Sequence, residues 1–471
     1  MKIALVFPGF ERQINDNLQI TTVKKYAGIP VPLSLTNVAA TLAQAGHNVE
    51  IIDANALKYS KEQLVSILKS KGTELIGFTT TTLAYHQENE WIKYVKDNLP
   101  DVPIIVGGKH AWYYPEEIMK NYFIDYAFNG EADFGVVDFA NVLEKSNLSK
   151  LKDIKGLWYK ENKKIIPGGV SVPVANLDDL PMPSRHLLPM GKYSSFITKR
   201  QKYTTMITTR GCPARCTFCD GHLEKFRFRS VKNTVEEIQL AYDMGVREIE
   251  LYDDSFTAHK KRAIEIANGI KERKLDLIWD IRTRVNMVDS ETLKILKSAG
   301  CQRINLGIES GDQQILNNMK KDINLDQAER AILLSKKLGY EVFGYFILGC
   351  PGETQSTMRK TVAFSQKYPF DYVQFTRMTP LPRTELYKQF MEEKKYDYWL
   401  EYTQGKHLDK QIDMVNTKLT DEEVNKAIKE AYAGFYLKPR QIMKTLLKTR
   451  SIPELLRYVG AGTNFLLKNR K

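Results

Sequence analysis

The stretch Arg210-Gly211-Cys212-Pro213-Ala214-Arg215-Cys216-Thr217-Phe218-Cys219-Asp220 sets three cysteines within eight residues, spaced C-x3-C-x2-C. It follows Tyr203-Thr204-Thr205-Met206-Ile207-Thr208-Thr209, whose β-branched and aromatic content predicts a strand. A loop leaving a strand can bend three thiolates toward one place. Three thiolates suit an iron–sulfur cluster, whose full set is four cysteines, and they leave one iron free for another ligand. Two other readings exist: a zinc site one ligand short, and unrelated buried cysteines. Zinc sites pair two C-x2-C halves or add histidine, and only His222 stands near this loop.

Around the loop the composition is that of a soluble globular protein. The 471 residues are 43% hydrophobic and 27% charged, and the length allows about three domains. Apolar runs such as Val342–Leu348 fall far short of the roughly 20 residues that span a bilayer. Met1-Lys2-Ile3-Ala4-Leu5-Val6-Phe7-Pro8 reads as a strand entering a turn, not as a signal peptide. Five cysteines, three of them clustered, point to metal and to a reducing, cytoplasmic setting. Cys301 and Cys350 read as small buried residues. A net charge of +13 can attract phosphates, nucleic acid or an anionic membrane, or can be a lysine-rich solvated face.

Residues 1–145 alternate strands with helices. Strands are expected at Lys2–Phe7, Val49–Asp53, Leu75–Thr79, Ile104–Val106 and Tyr126–Phe128, with helices at Leu33–Ala45 and Lys61–Ser70. Such alternation implies a doubly wound parallel sheet of Rossmann-like α/β type. Ligands bind such sheets outside the carboxyl ends of the strands. Thr79, Thr80, Gly107, Gly108, Gly130 and Glu131 stand there. Residues 146–200 read as a connector, with a small hairpin around Gly156–Lys164 and a proline-punctuated bridge.

Residues 201–390 alternate again. Strands are expected at Thr204–Thr209, Glu248–Tyr252, Ile278–Arg282, Arg303–Leu306, Val342–Leu348 and Tyr372–Thr376. Six βα units predict a partial (β/α)6 barrel of TIM-like type, whose chemistry sits at the carboxyl ends of its strands. Asp253 and Asp254 can accept from an ammonium group there, and Arg282 and Arg284 offer forks for a carboxylate. Glu309 and Ser310 can hold ribose hydroxyls. Capping is the competing reading for each of these singly.

The cysteine motif, with Phe218 before its third cysteine, resembles the signature of the radical S-adenosylmethionine (SAM) superfamily. The resemblance implies that Cys212, Cys216 and Cys219 hold a [4Fe–4S] cluster, that SAM chelates the open iron, and that Asp253, Asp254, Arg284, Glu309 and Ser310 contact SAM. Pro30–Leu35, Ala45–Glu50, Val106-Gly107-Gly108 and Asn129-Gly130-Glu131 resemble the cobalamin-binding domain of B12-dependent members. That implies cobalamin held by Thr79, Thr80, Gly107, Gly108, Gly130 and Glu131. The Asp-x-His-x-x-Gly pattern is absent, since Asp53-Ala54-Asn55 has no histidine two places on. No histidine is therefore expected on the lower face of cobalt, and His47 and His110 read as polar surface or loop residues. Asp-Asp-x-Phe at 253–256, Gly-x-Glu-Ser at 307–310 and Pro-Gly-Glu at 351–353 resemble the same family, with Cys350 where an aliphatic residue is usual.

The tail, residues 391–471, reads as helical and basic, with Thr420 an N-cap before Asp421, Glu422 and Glu423. Its basic and apolar residues from 439 onward fit either an amphipathic contact with an anionic membrane or a lid with a solvated outer face. The expected function is B12-dependent radical SAM chemistry. SAM is cleaved to a deoxyadenosyl radical, an unactivated carbon loses hydrogen, and methylcobalamin delivers a methyl group. The alternative is cyclisation or carbon–carbon bond formation on a tetrapyrrole or lipid without methyl transfer. A reductase, flavodoxin or ferredoxin would supply electrons. The substrate is expected to be a small molecule or lipid, and nucleic acid is not expected as a partner. Methylthiolation is disfavoured, because that class carries extra cysteines near its N-terminus and residues 1–200 have none.

Overall fold

The computed structural model describes residues 1–9, 28–200 and 202–448. They form two compact units. The first is built on the N-terminal strand, Ile29–Tyr193 and Asp397–Gln411, and the second includes Ser194–Tyr396.

In the first unit, β1 (Lys2–Phe7) lies between β2 (Asn48–Asp53) and β3 (Leu75–Thr79). The sheet continues through β4 (Ile104–Gly107), β5 (Tyr126–Phe128), β6 (Leu157–Glu161) and β7 (Lys164–Ile166), in the order β2-β1-β3-β4-β5-β6-β7. The first five strands are parallel, as alternation with helices predicts. All five residues of β3 are buried, which suits a strand covered on both faces. Helix Lys61–Lys71 starts at a Ser60–Gln63 capping box and ends at Gly72, whose φ of 62° needs no Cβ. Leu64, Val65 and Leu68 then face the sheet.

The small hairpin expected around Gly156–Lys164 is β6–β7, but it is not a free-standing part of a connector. It pairs antiparallel with β5, Tyr126 opposite Tyr159 and Phe128 opposite Leu157, and so completes the first sheet. A lone two-stranded hairpin is marginal in water, so it gains by joining an open sheet edge.

In the second unit six parallel strands follow in sequence order. They are β8 (Tyr203–Met206), β9 (Glu248–Leu251), β10 (Ile278–Arg284), β11 (Cys301–Glu309), β12 (Glu341–Leu348) and β13 (Tyr372–Arg377). They make the expected half-barrel. β8 stops three residues sooner than the sequence suggests. Thr209–Arg210 instead pairs antiparallel with Arg227–Phe228, and this ribbon brackets the cysteine loop.

Helix Asp421–Tyr436 opens with the expected cap, a Thr420–Glu423 capping box. It covers the free edge of β13. The Tyr432 hydroxyl accepts from Phe375 N at 3.0 Å and donates to Phe375 O at 3.2 Å. The Tyr436 hydroxyl does the same with Val373 N at 3.0 Å and Val373 O at 2.9 Å. Helix Pro439–Lys448 follows; the basic and apolar residues expected beyond it lie outside the described residues.

Candidate cofactor sites

The cysteine loop is aimed by a buried carboxylate. Asp253, 1% exposed at the end of β9, accepts from Thr208 N and Thr208 Oγ1, both at 2.5 Å, and from Thr209 N at 3.0 Å. Arg262 Nη2 reaches Thr208 Oγ1 at 2.8 Å from the other side. These bonds turn the chain at the mouth of the half-barrel. Gly211 follows with φ +76°, where a Cβ would lie 2.5 Å from Glu224 O. Cys212 N donates to Gly221 O at 2.8 Å, closing the loop.

The closed loop gathers its thiols. A Cβ placed on Gly221 would lie 3.3 Å from Cys212 Cβ, 3.5 Å from Cys219 Sγ and 2.9 Å from Asp254 Oδ2. Cys216 Sγ accepts from Arg284 Nη1 at 3.3 Å. All five cysteines are free thiols. Burial pushes the Cys212 thiol up and the Cys219 thiol up to about 12, and the Asp254 carboxylate adds to both shifts. Among the described residues no three His, Cys, Asp or Glu side chains converge as ligands of a single ion. Thiolates that each bind a different iron of a cluster need not converge so closely.

Arg284 links the loop to the next strand. Its Nη2 donates to Lys321 O, and Lys321 Nζ pairs with Glu309 Oε1 at 2.6 Å. Cys216, Arg284, Lys321 and Glu309 thus form one chain of contacts. Glu309 has φ +69°, at a register shift between β11 and β12. Such a backbone costs about 1–3 kcal/mol and gathers at functional sites. Of the residues read as SAM contacts, Asp254, Arg284 and Glu309 belong to this neighbourhood. Asp253 is engaged by the protein itself. Ser310 Oγ meets Thr361 Oγ1 at 3.1 Å and accepts from Asp312 N at 3.1 Å, so it braces a loop. Lys321 was not legible in the sequence, because nothing in Lys320-Lys321 marks one lysine as buried.

The second site lies at the carboxyl ends of β3, β4 and β5. Thr80 donates to Gly107 O through its N at 2.7 Å and its Oγ1 at 2.9 Å. Gly108 has φ +97°, and a Cβ there would lie 2.5 Å from Thr80 O and 2.9 Å from Thr79 Oγ1. A Cβ on Gly107 meets nothing within 4 Å, so that face is open. Gly130, φ +109°, sits against Ser171, and Glu131 Oε2 accepts from Val174 N at 2.9 Å. Below the loop Glu88 is fully buried and accepts from Thr81 N at 2.7 Å and Thr81 Oγ1 at 2.9 Å. Burial pushes its carboxyl up to about 8.

Neither histidine is at the surface, His47 being 6% and His110 0% exposed; His47 lies in the expected loop, between helix Leu33–Gln44 and β2, whereas His110 lies in helix Lys109–Tyr113, which corrects the expectation for it. His110 Nδ1 meets Thr82 Oγ1 at 3.4 Å and Nε2 meets Thr403 Oγ1 at 3.1 Å, and burial lowers its pKa to about 3. His47 Nδ1 lies 3.3 Å from the N-terminal amine. Both are structural polar groups, a role that sequence spacing does not reveal.

Comparisons with known proteins agree with this geometry. Residues 206–365 match the radical SAM superfamily and residues 20–139 match the B12 binding domain. An uncharacterized methyltransferase of Pyrococcus horikoshii is 33% identical over 95% of both chains. This chain belongs to the radical SAM superfamily, in the branch with a B12-binding domain. An anaerobic magnesium-protoporphyrin IX monomethyl ester cyclase of Rubrivivax gelatinosus is 26% identical over 77% of this chain and 67% of its own. The solved structure of the radical SAM methyltransferase TsrM from Kitasatospora setae, with cobalamin and a [4Fe–4S] cluster bound, covers 100% of this chain and 99% of its own. Its TM-score is 0.72 at 16% identity, a likeness of fold.

Membership in the family implies a [4Fe–4S] cluster, SAM and cobalamin. The residues fit the three groups. Free thiols, half-buried at Cys212 and Cys219 and buried beside the Arg284 guanidinium at Cys216, suit thiolates on iron, because metal binding deprotonates cysteine. The open face at Gly107 and the Cβ-free backbone at Gly108 suit the close approach of a large ligand.

Proposed function

We propose that this protein is a B12-dependent radical SAM methyltransferase acting on an unactivated carbon. Cys212, Cys216 and Cys219 ligate the [4Fe–4S] cluster. Asp254, Arg284 and Glu309 face SAM, while Asp253 and Ser310 position the loops around it. Thr79, Thr80, Gly107 and Gly108 cradle cobalamin, and Gly130 and Glu131 close its side. When bound, these groups supply a carbon-centred radical and a transferable methyl group. The chain's own residues orient them: Asp253 fixes the cysteine loop, Arg284 stabilises the Cys216 thiolate, and Glu88 holds Thr81 at the cradle.

The observation that carries this reading is the three-thiol loop beside Arg284, on a chain that also has a B12-binding domain. The test is anaerobic purification with iron, sulfide and corrinoid quantified, then turnover with SAM labelled in its methyl group. Label in the product and deoxyadenosine are expected. Normal deoxyadenosine formation by Cys212→Ala would overturn the ligand assignment. The likeness to a cyclase favours one second reading, ring closure without methyl transfer, and an unlabelled product would support it.

A small reductase, flavodoxin or ferredoxin is proposed as electron donor. The free cysteines support a cytoplasmic location. Among the described residues no helix is long and apolar enough to cross a membrane. In helix Pro439–Lys448, Ile442, Met443 and Leu447 are exposed, which supports a peripheral membrane contact there.

A further inference from the structure

The inward face of the half-barrel carries a guanidinium that the site described above does not use. Side chains alternate along a strand, so Asp280, Arg282 and Arg284 of β10 share one face. Arg284 belongs to the cysteine loop. Arg282 lies two residues back, roughly 7 Å along the strand and deeper in the barrel.

At the deepest level the charges are closed on one another. Arg303 Nη1 binds Asp280 Oδ2 at 2.6 Å and its Nε lies 3.6 Å from Glu341 Oε2, with all three side chains largely buried. Arg282 is different. Its Nη2 donates to Glu250 Oε1 at 3.2 Å, and Glu250 Oε2 is taken by the Tyr203 hydroxyl at 2.6 Å. Its Nε is buried without an acceptor. Its side chain stays 30% exposed while that of Glu250 is 6% exposed. A guanidinium has five N–H donors, and Glu250 takes one of those of Arg282. Its plane is also held: Cζ sits 3.5 Å from the ring centroid of Tyr252. Beyond it, Phe343 and Tyr345 stack with centroids 4.8 Å apart. Phe343 is in register with Asn305 and so with Arg282, while Tyr345 is in register with Gly307 and so with Arg284, and the stack therefore lines the wall from the one guanidinium to the other.

We infer that this wall is a substrate subsite, in which Arg282 binds an oxyanion, carboxylate or phosphoryl, and the Tyr252, Phe343 and Tyr345 rings receive an adjacent flat ring of the substrate. A planar, pre-oriented fork suits such oxyanions. A purely hydrocarbon substrate would strip water from Arg282 and return no acceptor, which is costly. The inference rests on the radical SAM reading and names the substrate class of that enzyme.

The test uses the reconstituted protein and weak-binding probes read by ligand-observed NMR. Benzoate and phenyl phosphate are compared with benzamide, a neutral isostere. Both anions are expected to bind wild type at least tenfold more tightly than benzamide. Arg282→Gln should lose that preference at least tenfold, with Arg282→Lys intermediate; the lysine variant decides if the glutamine variant fails to fold. Equal binding of benzamide, or no anion binding to wild type, overturns the inference. So does a parallel tenfold loss of SAM affinity in Arg282→Gln, which would assign Arg282 to SAM. Absence of deoxyadenosine from wild type would instead refute the radical SAM reading, independently of the probe result.

Discussion

Glu88 and His110 are two buried titratable groups of opposite sign within one unit. Glu88 is held at about 8 against a usual 4.5. Between those values the folded state binds the extra proton, so its contribution falls as pH rises, by up to about 1.4 kcal/mol per pH unit. His110 is held at about 3 against 6.5, so its contribution is lost as pH falls below 6.5. From pH 4.5 to 6.5 the two slopes oppose each other. Above 6.5 Glu88 acts without that opposition, and wild type should lose more thermal stability from pH 6.5 to 8 than Glu88→Gln does. Parallel melting curves for the two proteins would reject this. At Asp253 the expected effect is structural. Asp253→Ala leaves the N–H groups of Thr208 and Thr209 without their acceptor, which costs about 1–3 kcal/mol for each buried group left unpaired. A lower melting temperature with the cluster still assembling at low temperature is the expected result. Full stability with SAM binding abolished would instead make Asp253 a direct ligand.

Among elements, helix Asp421–Tyr436 shows how an open edge is closed without another strand. Its two tyrosine hydroxyls serve both backbone groups of Phe375 and of Val373. Unpaired edges invite association, and covering them with a helix prevents it. Tyr432→Phe should therefore speed amide exchange at Phe375 and destabilise by about 1–3 kcal/mol. Unchanged exchange at that amide would refute the role. The strands that carry this architecture were legible, because β1, β3 and β5 are short apolar runs bounded by turns. The early end of β8 was not. Ile207, Thr208 and Thr209 are all β-branched, so propensity carries the strand on to Thr209. In the fold the Asp253 carboxylate takes the Thr208 and Thr209 amides instead.

For the whole molecule, the first unit includes Asp397–Gln411, far along the chain. Thr403 meets His110, the Tyr402 carbonyl meets His86 Nε2 at 2.6 Å, and Tyr114 donates to Asp397 Oδ1 at 3.2 Å. Truncation after residue 396 should raise hydrogen exchange around 80–115 more than along β9–β12. The reverse pattern would reject that assignment.

The sequence by itself determined the parallel strands of the two sheets, the cysteine spacing and the glycines at the strand ends, because those depend on local periodicity and short-range turn chemistry. Only the tertiary structure decided which polar residues brace a loop and which stand beside the thiols. Asp253 and Asp254 are neighbours in the chain, yet one braces a loop and the other sits by the thiols. Burial and hydrogen-bond partners set that difference, and both come from residues distant in the chain.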